Sequence, residues 1–232
     1  MFRLFILFYL CLVSCSCITN KPNRKSIPSQ AQLEYDSTVC SYDSSTILAR
    51  RLKNNLKASV GVLLCYTNDK QESFVLLGRE RVGKRDGATW CELGGSVETG
   101  ESFLEAAIRE SKEESGGVYQ LDPNDLLNNG VVCYNKYKQK DGRIREEVYI
   151  LLNINNYYPS DVLCKAVNRQ NKDTYREKDD FKWVSCTSLC TIDHNPCILT
   201  DIDGNEHTFT LRKFFYEALK RDSFRMKLLY VM

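Results

Sequence analysis

The 232-residue chain carries 32 Lys and Arg against 30 Asp and Glu and is 43% hydrophobic. Near-zero net charge without a long Lys/Arg run excludes the electrostatic footprint of a duplex nucleic-acid binder and favours a small polyanionic substrate. The length accommodates one substantial core with a short appendage, whereas two full domains would be cramped.

The chain begins MFRLFILFYLCLVSCSC, an early Arg followed by the apolar run Leu4–Val13. That run is shorter than the roughly 20 residues a spanning helix needs, so residues 1–14 read as a signal peptide or membrane anchor. Leu12-Val13-Ser14-Cys15 resembles a bacterial lipobox, which implies lipid on Cys15 and a membrane-associated or secreted protein. An uncleaved apolar start and a cytoplasmic location form the alternative. Residues 15–46, rich in Ser, Thr, Asn, Pro and Lys, read as a flexible tether, and residues 47–232 as the folded domain.

Ala58–Tyr66 and Ser73–Gly78 are β-type runs around the polar turn Thr67–Glu72, which predicts a hairpin. Trp90–Leu93, Val131–Tyr134, Glu147–Ile154 and Phe181–Val184 are further expected strands, and Cys65, Cys91 and Cys133 within these runs are expected core thiols. A helix is expected from Ser102 to about Glu114, stopped by Gly116 and Gly117. Asn155–Asp180 is polar and without clear period, which predicts a loop or an unstructured insertion. Thr210–Lys220 has the period of an amphipathic helix, with Leu211, Phe214, Phe215 and Leu219 as its stripe. The expected class is α/β, a mixed β-sheet between helices.

The expected central helix holds an anomaly. Glu110, Glu113 and Glu114 crowd its last turn, where the macrodipole disfavours anions by about 0.3–1 kcal/mol each. Glu110/Glu113 and Glu110/Glu114 are also like-charged neighbours costing roughly 0.2–0.5 kcal/mol per pair. On a helical projection Leu104, Ala107, Ile108 and Ser111 form the docking face, while the three glutamates gather on an adjoining flank edged by Arg109. Either something positive shares that space, or the carboxylates protonate or splay into water. A hard divalent cation meets the first condition, since Mg²⁺ takes a few carboxylates and fills its shell with water and phosphate oxygens. A solvated acidic face aided by Lys112 and Arg109 is the plainer alternative.

Gly95, Glu101, Arg109, Glu110, Glu113, Glu114 and Gly116 fall in register with the Nudix box, and the chain resembles the Nudix hydrolases from about Ala58 to Leu219. The resemblance implies an α/β/α sandwich and Mg²⁺- or Mn²⁺-dependent hydrolysis of a phosphoanhydride bond in a nucleoside diphosphate linked to another moiety. It makes Glu110, Glu113 and Glu114 metal ligands with the Gly94 carbonyl, and has Arg109 and Glu101 orient the carboxylates and the loop. Glu110, Glu113 and Arg109 are thus the catalytic candidates within the box. The family often draws its general base from a later loop; Glu146, Glu147, Glu177, Asp179 and Asp180 qualify by type, and Glu177 is preferred for its place before the Phe181–Val184 strand. Tyr134 lies where dinucleoside-polyphosphate enzymes carry a base-stacking Tyr, while a Tyr ending a strand is also ordinary core. Nucleotide sugars, dinucleotides and capped RNA all fit as substrates.

Ser111 and Gly117 depart from the family's bulky aliphatics, which points to looser helix packing and leaves a catalytically weak nucleotide-binding module as the second function. Cys186, Cys190, His194 and Cys197 have zinc-ligand types at an uncommon spacing, with buried thiols or a Cys190–Cys197 disulfide as the simpler readings. His207, after the Asp203-Gly204 turn signal, is expected to be exposed.

Overall fold

In a computed structural model, which describes residues 44–52, 57–83, 86–138, 142–170 and 177–231, the expected hairpin forms from Lys57–Thr67 (β1) and Ser73–Glu80 (β2). The signal or anchor over residues 1–14, and all of the tether except its last three residues, lie outside the described residues. Residues 44–46 instead open a short helix, Ser44–Ala49 (α1), which buries Ile47 and Leu48.

The two hairpin strands pair only over Cys65–Thr67 and Ser73–Val75 and then diverge. Into the fork goes the following segment. Trp90–Cys91 (β3) pairs with β2 at Gly78 and Arg79, and Leu93–Ser96 (β4) pairs with β1 at Ser59–Val62. Ile144–Asn153 (β6) runs parallel to β1, Val131–Lys138 (β5) flanks it, and Lys178–Ser185 (β7) closes the far edge on β2. One parallel pair among antiparallel ones makes the sheet mixed.

Alternation along the central strands divides the apolar residues between two faces. Val60, Val62, Leu64, Leu76 and Ile150 face one layer, which also takes Leu48, Phe103, Leu126 and Leu163. These last come from α1 and from helices Phe103–Glu114 (α2), Pro123–Asn129 (α3) and Ser160–Asn168 (α4). Leu63, Cys65, Val75, Tyr149 and Leu151 face the other. That layer is covered by helices Cys186–Cys190 (α5), Lys213–Leu219 (α6) and Asp222–Val231 (α7), and by the hairpin Cys197–Thr200 (β8) with Glu206–Phe209 (β9). The α/β/α sandwich is therefore present. Among the described residues no helix is long and apolar enough to cross a membrane.

Three expectations need correction. Asn155–Asp180 is not all loop, because α4 lies within it. Only Leu163 and Val167 of α4 are buried, one pair at four-residue spacing, too brief a pattern to register as a period. In α6 the stripe is Phe215, Ala218 and Leu219, with Leu211 just before it, while Phe214 is 40% exposed. The docking face of α2 is rotated by about one residue, roughly 100°, from that expected. Phe103, Ala106, Ala107 and Ser111 are buried on it together with Glu110 and Glu114, while Leu104 and Ile108 stand at its margin.

Candidate functional site

Local sequence sets the position of α2. Ser102 caps its start in a capping box with Glu105, the Ser102 hydroxyl accepting from the Glu105 N–H at 3.2 Å and Glu105 accepting from the Ser102 N–H at 2.8 Å. The helix ends on the left-handed glycines Gly116 (φ 66°) and Gly117 (φ 82°), with the Gly117 N–H donating to the Lys112 carbonyl at 2.7 Å. Gly116 also passes against α4, where a Cβ would stand 2.6 Å from backbone atoms of Ala166 and Val167. The family aliphatic that Gly117 replaces would carry a Cβ at φ 82°, an unfavourable conformation for it.

The last turn of α2 faces the strand β4, and there the chain has no side chains. Glu110 fills the space beside Gly95, whose Cβ would come within 2.6 Å of Glu110 Cδ. Glu114 Oε2 accepts the Gly94 N–H at 2.7 Å. The paired glycines thus admit two carboxylates into the interior, which is why the docking face could rotate onto them. Glu113 stays outside, with its side chain 33% exposed.

Two cations serve this cluster. From the solvent side, Arg109 donates through Nε and Nη2 to both oxygens of Glu101, each at 2.9 Å, through Nη1 to Glu110 at 2.7 Å, and through Nη2 to the Ser96 carbonyl at 3.0 Å. Glu113 lies 3.6 Å from the same Nη1. From within, the buried Lys178 of β7 donates to Glu80 Oε1 at 2.8 Å and to Cys91 Sγ at 3.0 Å, with Glu114 Oε1 at 3.4 Å. Arg212 adds a bond to Glu80 at 3.4 Å.

The electrostatics follow from burial. Desolvation pushes the Glu114 carboxyl up to about 8 against the pull of Lys178, and nearby Glu80 and Glu110 push the same way. Burial likewise raises Glu110, with Arg109 opposing and Glu113 and Glu177 adding to the rise. For Glu80 burial pushes up, but Lys178, Cys91 and Arg212 together outweigh it and the value falls, so Glu80–Lys178 is the ionised pair and Glu114 carries the unrelieved cost.

Among the described residues, no three His, Cys, Asp or Glu side chains already converge on a metal position. Two features nevertheless fit a hard cation. Glu114 Oε1 is buried without a hydrogen-bond partner, and the carboxyl of Glu110 is buried close by at the same glycine pair. Such donors are all oxygen, the type Mg²⁺ and Mn²⁺ take.

Of the other expected residues, Glu177 immediately precedes β7, and its charge acts on Glu110. Glu146 and Glu147 face opposite sides of the sheet and are both engaged. Glu146 takes two bonds from Arg50 and one from Tyr134 Oη at 2.8 Å, and Glu147 accepts from Tyr137 Oη at 2.7 Å. Asp179 accepts from Arg79 at 2.6 Å, and Asp180 stands 3.9 Å from that arginine. The Tyr134 ring has the Arg50 guanidinium 5.4 Å from its centroid, so ring and hydroxyl belong to a brace between α1 and the sheet. Cys186, Cys190 and Cys197 are buried free thiols, and His194 is exposed and pairs with Asp193, which removes both the zinc array and the Cys190–Cys197 disulfide. His207 is only partly exposed and meets Asp201 at 2.6 Å.

Sequence reasoning missed Lys178 and Arg212. The available signal was a single Lys set among the acids Glu177, Asp179 and Asp180 at the first position of β7. Arg212 lines an open recess behind β4 with Glu92, Arg145, Glu147, Tyr149 and Phe214, and Gly94–Ser96 form another of its walls.

A family model of the NUDIX domain matches residues 56–197. No curated protein matches the chain by sequence. Among solved structures, the chain is similar to a Nudix hydrolase from M. smegmatis at 15% identity, covering 75% of this chain and 84% of that one with a TM-score of 0.46. It is similar to a C. elegans Ap4A hydrolase in a binary complex at 21% identity, covering 58% and 84% with a TM-score of 0.39. A MutT protein from Methanosarcina mazei Go1 matches at 20% identity over 77% and 96%, with a TM-score of 0.42.

Proposed function

The chain belongs to the NUDIX domain family, and from that premise we propose that it hydrolyses a phosphoanhydride bond in a nucleoside diphosphate linked to another moiety. The observation that carries this reading is the pair of buried carboxylates, Glu110 and Glu114, brought to Gly94 and Gly95, with one oxygen of Glu114 lacking a hydrogen bond and met only by the Lys178 ammonium at 3.4 Å among the described residues. A buried carboxylate in that condition is costly unless a ligand uses it.

Glu110, Glu113 and Glu114 are the residues that would hold Mg²⁺ or Mn²⁺. The chemistry such an ion supplies when bound is neutralisation of pyrophosphate charge and acidification of a water molecule. Arg109 fixes the rotamer of Glu110 and ties it to Glu101, so the carboxylate is oriented before substrate arrives. Glu177, immediately before β7, is assigned the general-base role for that place in the chain. The recess behind β4 suits the non-phosphate part of the substrate, because Arg145 and Arg212 are offset there by Glu92 and Glu147, leaving little net charge for a further phosphate. Phe214, partly exposed with the Arg145 guanidinium 5.0 Å from its ring centroid, gives that recess an aromatic wall.

The ammonium beside Glu114 favours a second reading, a module that binds nucleotides with little turnover. One panel separates the two. Full-length protein is assayed with Mg²⁺ or Mn²⁺ on ADP-ribose, NADH, dinucleoside polyphosphates, nucleotide sugars and capped RNA, beside Glu113→Gln and Glu114→Gln. Metal-dependent phosphate-bond cleavage that falls in both variants is the expected result. Unchanged activity in both would sink the assignment, and binding without cleavage would favour the module. Attachment to a membrane through Cys15 is likewise proposed, with fractionation of Cys15→Ala as its test; unchanged partitioning and processing would exclude it.

A further inference from the structure

Lys178 does more than its strand requires. Its side chain is wholly buried, and its stem crosses the Cα of Gly78, where a Cβ would stand 3.0 Å from Lys178 Cδ. A tie between β7 and β2 needs only the 2.8 Å bond to Glu80. The ammonium is nevertheless also 3.4 Å from Glu114 Oε1, on a different layer of the fold, and that is the oxygen without a hydrogen bond. Glu114's other oxygen is fixed by the Gly94 N–H at 2.7 Å. Glu114 is therefore held between a backbone donor and a cation supplied by the chain itself.

We propose that Lys178 is a positioning residue of the site, a built-in cation on the inner side of Glu114 that sets this carboxylate and limits how much positive charge a divalent ion has to bring. It rests on the metal-dependent reading above. Removing the ammonium leaves Glu80 and Glu114 as two buried carboxyl groups, which then attract a divalent ion more strongly. Removing the competing Glu80 charge has the opposite effect, because the ammonium is then left to Glu114.

The test is titration of substrate-free, full-length protein with Mn²⁺ alone, followed by electron paramagnetic resonance of free Mn²⁺. Lys178→Met is expected to bind Mn²⁺ about tenfold more tightly, or to take up an additional ion, and Glu80→Gln to bind it about tenfold more weakly. A plain structural tie predicts lower thermal stability in both with the same Mn²⁺ affinity as wild type. That result, or shifts of the same direction in both variants, overturns the proposal. Should Lys178→Met fail to fold, Glu80→Gln decides alone, and unchanged or tighter Mn²⁺ binding overturns it. A wild type whose Mn²⁺ binding is lost in Glu113→Gln, beside variants that shift nothing, discards the role of Lys178 and keeps the metal site. A wild type that binds no Mn²⁺ discards both.

Discussion

Gly94 and Gly95 are adjacent, yet an alanine at each is expected to fail in opposite ways. At Gly95 the added Cβ meets the carboxyl of Glu110, with Cδ at 2.6 Å, about 0.8 Å inside the 3.4 Å at which ordinary contact begins. The obstruction is the far end of a flexible side chain, so the fold yields by moving Glu110. Its cost is about 1 kcal/mol, a fall in Tm of roughly 2–4 °C. The site pays instead, because Glu110 leaves the Arg109 bond at 2.7 Å, and a displacement near 1 Å costs about 10²-fold in rate. At Gly94 the Cβ meets the Val60 carbonyl oxygen and comes within 2.7 Å of Gly61 Cα, both backbone. The β1–β4 pairing has to open there, at roughly 3 kcal/mol and a Tm loss of about 6–12 °C. Thermal melts alongside Mn²⁺-dependent turnover read both quantities. Full activity in Gly95→Ala would refute the placement of Glu110 at Gly95, and a Gly94→Ala protein as stable as wild type would refute the close β1–β4 approach at Gly94.

Other substitutions test the frame around the site. Ser111 is fully buried and its hydroxyl has no partner, so Ser111→Ala is expected to leave stability unchanged or raise it by up to about 1 kcal/mol in urea unfolding; a clear loss would mean an unseen bond. Gly117→Ala should cost about 1 kcal/mol for its positive φ alone, with open space around it. Gly116→Ala, which also strikes the α4 backbone, should cost at least twice as much, and equal melting temperatures would contradict this. Burial pushes the Asp201 carboxyl up, but the N–H groups of Asn205 and Asp203 together with His207 hold it below its ordinary value. A depressed carboxylate stabilises above its unfolded pKa of about 3.9 and loses that contribution as pH falls through the folded value. Asp201→Asn is therefore expected to cost about 1–2 kcal/mol at pH 7, with the gap to wild type narrowing below about pH 4; a constant gap would show that charge is not involved.

The strands were legible because Val60, Val62, Leu64 and their odd-numbered partners are buried on both faces, and such runs are unmistakable. The helices covering the sheet were less so. In α4 and α7 only two residues each are fully buried, Leu163 with Val167 and Phe224 with Leu228, and one pair does not make a period. The box located the carboxylates by spacing, but it could not say which way they face. That depends on Gly94 and Gly95 making room, and the helical projection alone put Glu110 and Glu114 on the wrong side. Lys178 was hidden for a related reason. Its partners, Glu80, Cys91 and Glu114, come from three separate segments, brought to it by the β2–β7 register, the β2–β3 pairing and the end of α2.

The three glutamates of the crowded turn are consequently not equivalent. Glu113 is one-third exposed and stands 3.6 Å from Arg109, so Glu113→Gln should alter stability by no more than about 0.5 kcal/mol while weakening Mn²⁺ binding. Glu114 is 2% exposed, and desolvation lifts its carboxyl to about 8. An acid whose folded pKa is raised destabilises the protein above its unfolded value of about 4.3, increasingly so until pH passes the folded value. The neutral amide of Glu114→Gln avoids that penalty and leaves Lys178 its bond to Glu80. This variant is expected to be more stable than wild type without metal, by up to about 4–5 kcal/mol at pH 8, with the advantage vanishing near pH 4. Added Mn²⁺ should reverse the order, since only the wild type gains from binding. Melting curves across pH, with and without Mn²⁺, decide the matter: a Glu114→Gln protein less stable than wild type in the absence of metal would mean that Lys178 already neutralises Glu114 in full, and that no cation is needed to justify its burial.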